Sequence, residues 1–221
     1  RNGPKNPKNH HHPTGHHPTS HHPTGLLRGQ HRMRIIAGRH RGTKLAEPAG
    51  ANTRPTADRV RESLFNVLAG GRFGETVEGA HVIDAFAGTG ALGLEALSRG
   101  ASIASFIERD QAALATLRAN ITRLKRGPDC QVIAGDALSL ATWRGTPAGL
   151  LLADAPYGTG AGIEAALRLI SINALTPDAL VVIETERGEA LDEDVLSTAG
   201  MRQLDDRTYG RARLHFLRRD A

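Results

Sequence analysis

The chain has 221 residues, 39% of them hydrophobic, which is enough for one sizeable core and one main domain. Its single cysteine, Cys130, excludes an internal disulfide and a cysteine-cluster metal site, and no metal is expected. No apolar run approaches a membrane span and no secretory core opens the sequence, so a soluble, cytoplasmic monomer is expected.

The net charge of +5 resides in residues 1–32, where Arg1, Lys5, Lys8, Arg28 and Arg32 stand without an acid; the other 23 basic residues balance 23 acidic ones. This segment repeats His-His-Pro-Thr and holds eight of the eleven histidines. With so few large apolar side chains it reads as a disordered extension, binding metal ions loosely at most. Residues 33–75 read as a basic hairpin and helix. Arg34–Gly38 and Thr43–Leu45 bracket the turn Arg39-His40-Arg41-Gly42, and Arg54–Leu68 follows as a capped amphipathic helix. Its apolar set is Val60, Leu64, Val67 and Leu68, and Gly70-Gly71 ends it. Between Met33 and Arg61 seven basic residues face only Glu47 and Asp58, which points to an anionic partner met at one end of the molecule.

Residues 76–221 form the main domain. Strands are predicted at 81–85, 103–107, 131–135, 150–153 and 180–184, and helices near 91–99, 110–124, 161–174 and 190–197. Met201–Thr208 and Arg213–Leu217, separated by Tyr209-Gly210, read as a closing antiparallel hairpin. The alternation implies an α/β fold: a Rossmann-like, doubly wound seven-stranded sheet with one reversed strand.

Val82-Ile83-Asp84-Ala85-Phe86-Ala87-Gly88-Thr89-Gly90-Ala91-Leu92-Gly93 reads as a strand that breaks into a glycine loop and opens a helix. Gly88, Gly90 and Gly93, with Glu108 downstream, also satisfy the dinucleotide fingerprint. Asp84 separates the two ligands. A carboxylate there repels a pyrophosphate and suits the ammonium and sulfonium of S-adenosylmethionine.

Acids close four successive predicted strands: Asp84, Glu108, Asp136 and Asp154. Any one of them is as readily a helix cap, but in an open α/β sheet all four converge on one crevice. There Glu108 suits the ribose hydroxyls, Asp136 the adenine amino group, and Asp84 with Gly88–Gly90 the methionine moiety. Asp154-Ala155-Pro156-Tyr157 suits methylation of an amine on a base. A carboxylate and a backbone carbonyl accept from the NH2 group and aim its lone pair, proline fixes the turn, and the aromatic ring stacks on the base.

Met33–Gly38, Arg54–Asn66, Asp84–Ala96 and Asp154–Tyr157 together resemble the bacterial 16S ribosomal RNA guanine-N2 methyltransferase family, the small-subunit methyltransferase D type. The resemblance implies a class I methyltransferase that uses S-adenosylmethionine on one guanine of 16S ribosomal RNA during small-subunit assembly. Its RNA, free or in the small ribosomal particle, is the expected partner. The implied catalytic residues are Asp154, Ala155, Pro156 and Tyr157; the cofactor set is Asp84, Phe86, Gly88, Thr89, Gly90, Glu108, Asp136 and Ala137. Arg34, Arg39, His40, Arg41, Lys44, Arg54 and Arg59 are expected to hold RNA, while His81 and His215 read as structural. Two positions depart from the family pattern. Ala155 stands where a proline is usual, which predicts a looser turn, and His40 replaces an aromatic residue. An adenine-N6 methyltransferase on DNA or RNA, and a catalytically silent RNA-binding assembly factor, remain open alternatives.

Overall fold

The computed structural model describes residues 2–3, 33–48 and 55–220. Everything below concerns the unit His31–Ala221; the expected extension over 1–32 lies outside the described residues apart from Asn2 and Gly3, as does Arg54.

Helix α1 (Pro55–Ala69) is followed by β1 (His81–Ala85), α2 (Ala91–Ser98), β2 (Ile103–Glu108), α3 (Gln111–Leu124), β3 (Cys130–Ala134), β4 (Ala148–Asp154), α4 (Ala161–Ser171), β5 (Leu175–Glu186), α5 (Glu193–Thr198), β6 (Met201–Tyr209) and β7 (Ala212–Arg219). These strands make one seven-stranded sheet in the order β3-β2-β1-β4-β5-β7-β6. The first five are parallel, and β7 runs antiparallel to both β5 and β6. The doubly wound sheet with one reversed strand follows from the sequence pattern.

Alternation along each strand builds two cores. Val82, Phe106, Leu150, Leu152 and Val182 face α1, α2 and α3 through Phe65, Leu94, Leu97, Leu114 and Leu117. Their neighbours Ile83, Ile107, Leu151, Val181 and Ile183 face α4 and α5 through Ala165, Leu169 and Leu196. Both faces are covered, so β4 and β5 read as continuous apolar runs. Helix α3 starts where Asp110 Oδ1 accepts from the Ala113 amide at 2.8 Å. It stops at Lys125, which takes the left-handed conformation (φ 54°).

Several boundaries differ from the sequence pattern, the start of α5 at Glu193 among them. Helix α4 ends at Ser171, because Asn173 turns left-handed (φ 58°) and the Ala174 amide reaches back to the Leu169 carbonyl. Strand β5 begins at Leu175, ahead of the predicted start at 180. The N-terminal hairpin contracts to one bridge, Arg34 to Lys44. Its ladder stops because the Ile36 and Ala37 amides donate to the Glu95 carboxylate of α2, at 2.8 and 3.0 Å. Among the described residues no helix is long and apolar enough to cross a membrane.

Candidate active site

The carboxyl ends of β1, β2, β3 and β4 open onto a cleft of about 650 Å3, whose lining includes Phe86, Ile107, Glu108, Arg109, Asp136, Ala137, Leu138 and Asp154–Tyr157. A cavity of about 210 Å3 continues along the glycine loop, lined by Met33, Arg61, Asp84, Phe86, Gly88, Thr89, Asp154 and Glu184 among others. Phe86 and Asp154 belong to both. The two spaces are neighbours that share these side chains.

The loop is built by close packing. Phe86 has a positive φ of 63°, which turns the chain sharply out of β1. A Cβ on Gly90 would lie 2.4 Å from Leu117 Cδ1, and one on Gly93 would lie 2.4 Å from the Phe106 ring. Both glycines let the loop and α2 settle against β2 and α3. Gly88 is different: a Cβ there meets nothing closer than 4.0 Å, so its open side faces the crevice.

Asp84, Glu108 and Asp136 are each engaged by backbone. Asp84, only 1% exposed, accepts from the Gly93 amide at 2.8 Å through Oδ2 and so anchors the first turn of α2. Burial drives its carboxyl well above the usual range, opposed by the Gly93 amide and reinforced by the Asp154 and Glu108 charges. Glu108 accepts from the Gly88 amide at 2.8 Å through Oε2 and from the Arg109 and Asp110 amides through Oε1. It therefore ties the glycine loop to the end of β2. Asp136 takes the Leu138 amide at 3.0 Å on Oδ1 and the Arg109 guanidinium at 2.9 Å on Oδ2. That ion pair is exposed and holds the residues only loosely.

Asp154 ends β4 with its side chain open to the cleft, and partial desolvation there pushes its carboxyl up to about 6. Its register partner on β5 is Glu184. The Tyr157 hydroxyl donates to Glu184 Oε1 at 2.6 Å, and burial with the Asp154 charge moves Glu184 up to about 7. Tyr157 itself is 37% exposed, its ring available at the mouth. The turn after Ala155 is held by its neighbours. Thr159 Oγ1 donates to the Pro156 carbonyl at 2.6 Å, the Gly158 amide donates to Glu189 Oε2 at 3.0 Å, and Ala155 is itself buried.

Asp84, Asp154 and Glu184 line one cavity, and the strand-end rule reaches Glu184 when carried to the fifth strand. Other residues had no local signal. Met33 touches the loop where Thr89 Oγ1 donates to its sulfur at 3.3 Å. Asn120 of α3, fully buried, exchanges two hydrogen bonds with Ala46 and donates to the Thr89 carbonyl at 3.0 Å. Arg61 points inward, to Asp58 Oδ1 at 3.0 Å and the Arg34 carbonyl at 2.6 Å, with its Nε 3.9 Å from Glu95 Oε2.

The basic residues separate into groups. Arg34, Arg41 and Arg59 are exposed and line a cavity of about 470 Å3 together with Asp58 and Glu62. Arg39 and Lys44 are exposed elsewhere on the N-terminal segment. His40 turns its Nε2 edge inward, and burial with the Arg126 and Arg39 charges lowers its pKa. His81 lies between the Thr146 and Ser105 hydroxyls, and His215 between the Thr185 hydroxyl and the Gln203 side-chain amide.

Comparison with known proteins places this geometry. The family model described as conserved hypothetical protein 95 matches residues 33–218. Ribosomal RNA small subunit methyltransferase D of Escherichia coli K12 is 42% identical over 159 residues, 72% of this chain and 77% of that protein. The Haemophilus influenzae protein of the same name is 34% identical over 181 residues, 80% of this chain and 89% of its own length. The solved structure of yhhF from Escherichia coli superposes with a TM-score of 0.73 at 36% identity, covering 86% of this chain and 99% of that one.

Proposed function

Since the chain belongs to the ribosomal RNA small subunit methyltransferase D family, we propose that it methylates the exocyclic N2 of a guanine in 16S ribosomal RNA, within the assembling small subunit, with S-adenosylmethionine as donor. The observation that carries the donor assignment is the convergence of Asp84, Asp154 and Glu184 on one cavity beside the glycine loop. Carboxylates that repel one another there are relieved by a ligand bearing an ammonium and a sulfonium, and opposed further by a pyrophosphate. Arg61, which lines the same cavity, is already committed to the buried Asp58. The cleft volume and its apolar walls, Phe86, Ile107 and Leu138, suit an adenosine.

In this reading Glu108 keeps an acceptor position on Oε2 for a ribose hydroxyl, since that oxygen takes one amide and has a second lone pair. Asp136, freed from its exposed pair with Arg109, and Ala137 meet the adenine edge. Bound there, the donor would supply an electrophilic methyl carbon on a sulfonium, whose sulfur would leave as a neutral thioether opposite the attacking amine. Asp154 accepts one N2–H and the Ala155 carbonyl the other, which localises the nitrogen lone pair that the purine ring otherwise delocalises. As the N–C bond forms the amine becomes cationic, and the Asp154 carboxylate stands ready for its proton. The Tyr157 ring covers one face of the base. Arg34, Arg41 and Arg59 take backbone phosphates, with Arg39 and Lys44 as outlying contacts.

The test is to incubate the purified protein with labelled S-adenosylmethionine and either 16S ribosomal RNA or small-subunit particles, then digest to nucleosides. Label in N2-methylguanosine is expected. Label in N6-methyladenosine selects the adenine alternative, and no transfer to either substrate selects a silent binder.

A further inference from the structure

We propose that Glu184 selects guanine by accepting the N1–H of the base beside the N2 amine held by Asp154. The inference rests on the guanine reading above and names the residue that enforces it.

Asp154 and Glu184 are register partners on adjacent parallel strands, so they leave the sheet side by side, roughly 5 Å apart at the backbone. Both line the cavity that continues along the glycine loop. Glu184 lies within β5, where it caps no helix. Its described side-chain donor is the Tyr157 hydroxyl, at 2.6 Å on Oε1. The aromatic residue at the mouth of the site thus carries a ring that can lie along a base and a hydroxyl that fixes an acid at the edge of that base.

Two neighbouring carboxylates make a surface that only accepts hydrogen bonds. Guanine presents N1–H and N2–H2 side by side, two donors in a row. Adenine presents its amine beside an N1 lone pair, which the second carboxylate would repel. One acid is enough to hold an amine, so a pair reads the ring nitrogen next to it as well. Discrimination of this kind is strong because the wrong base leaves a charged acceptor facing a lone pair.

The experiment uses the full-length protein at pH 8, above the raised titration of Glu184 near 7. Its substrates are an RNA fragment carrying the mapped target guanosine and a copy with 2-aminopurine there, which keeps the 2-amino group but offers a lone pair at N1. Wild-type protein is expected to prefer guanosine by about 1,000-fold in kcat/KM. Glu184→Gln, whose amide can turn an N–H toward N1, should shrink that ratio by ~10-fold or more. Tyr157→Phe, which keeps the ring and releases Glu184, should shift the ratio in the same direction and carries the test if Glu184→Gln melts early. Equal losses on both substrates, leaving the ratio unchanged in the folded variants, would overturn the assignment. Absence of guanosine methylation by wild-type protein would instead overturn the underlying function, and it is read separately in the wild-type control.

Discussion

At the ends of β1, β4 and β5, Asp84, Asp154 and Glu184 face a single cavity, whereas Arg34, Arg41 and Arg59 line another and stand in solvent. Burial and the nearby Asp154 charge raise the Asp84 and Glu184 carboxyls, so positive charge and hydrogen-bond donors are both favoured beside them. The exposed arginines are screened by salt, and each contributes little alone; what they recognise is a chain of negative charges. Removing one acid should therefore change chemistry at any ionic strength, and removing one arginine should change affinity in a salt-dependent way. The regions are mechanically joined, since Asn120 holds both Ala46 of the basic segment and Thr89 of the glycine loop.

The sharpest break in this comparison is Asp154→Ala. Single-turnover methyl transfer should fall by about 100- to 1,000-fold, while calorimetry finds adenosylhomocysteine affinity within a few-fold of wild type; near-normal turnover would remove Asp154 from the mechanism. Glu108→Ala should act on the donor side instead, weakening adenosylhomocysteine binding by roughly 10- to 100-fold, because it loses an acceptor and releases the Gly88 amide. Replacing Arg34, Arg41 and Arg59 together by glutamine should leave donor affinity unchanged. RNA binding should weaken, and the slope of log affinity against log salt should drop by about two, at ~0.7 per phosphate contact on a single strand; an unchanged slope would take these residues off the RNA path.

Protonation gives a finer contrast. Asp154 and Glu184 accept hydrogen bonds from the amine only when ionised, and they titrate near 6 and 7. Transfer should therefore rise as pH is raised through that range and level off above it. Stability moves the other way. A carboxyl whose folded pKa is raised favours the fold when protonated, a contribution present at low pH and lost as pH rises through the folded value. Glu184→Gln should thus melt higher than wild type at pH 8, with the gap closing toward pH 5; a gap independent of pH would contradict the burial of this carboxyl. The smallest effect is expected from a chain beginning at Met33, which should fold and methylate as the longer chain does.

The fold was legible because its signals are local. Alternating apolar residues such as Val82 and Ile83 build both cores, Asp110 marks a helix start, and Gly70-Gly71 follow the end of α1. The strand-end acids could be placed for the same reason, since each closes an apolar run. Illegible features depended on partners distant in sequence. Nothing near Ile36 announces that a carboxylate 59 residues away takes its amide and halts the hairpin ladder. Arg61 looks like another member of the basic run until Asp58, the Arg34 carbonyl and Glu95 enclose it. His40 likewise reads as surface until its ring edge is seen turned inward. At Glu184 the signal was present in the sequence, an acid within the last apolar strand of the parallel set, but its pairing with Tyr157 needed the sheet order.

The most direct test of the central claim is nucleoside mass spectrometry of 16S ribosomal RNA from a strain lacking this gene, complemented with the wild-type chain or with Asp154→Ala. One N2-methylguanosine should be missing in the deletion, return with the wild-type gene and stay missing with the variant. An unchanged set of N2-methylguanosines in the deletion strain, or full restoration by Asp154→Ala, would contradict the account.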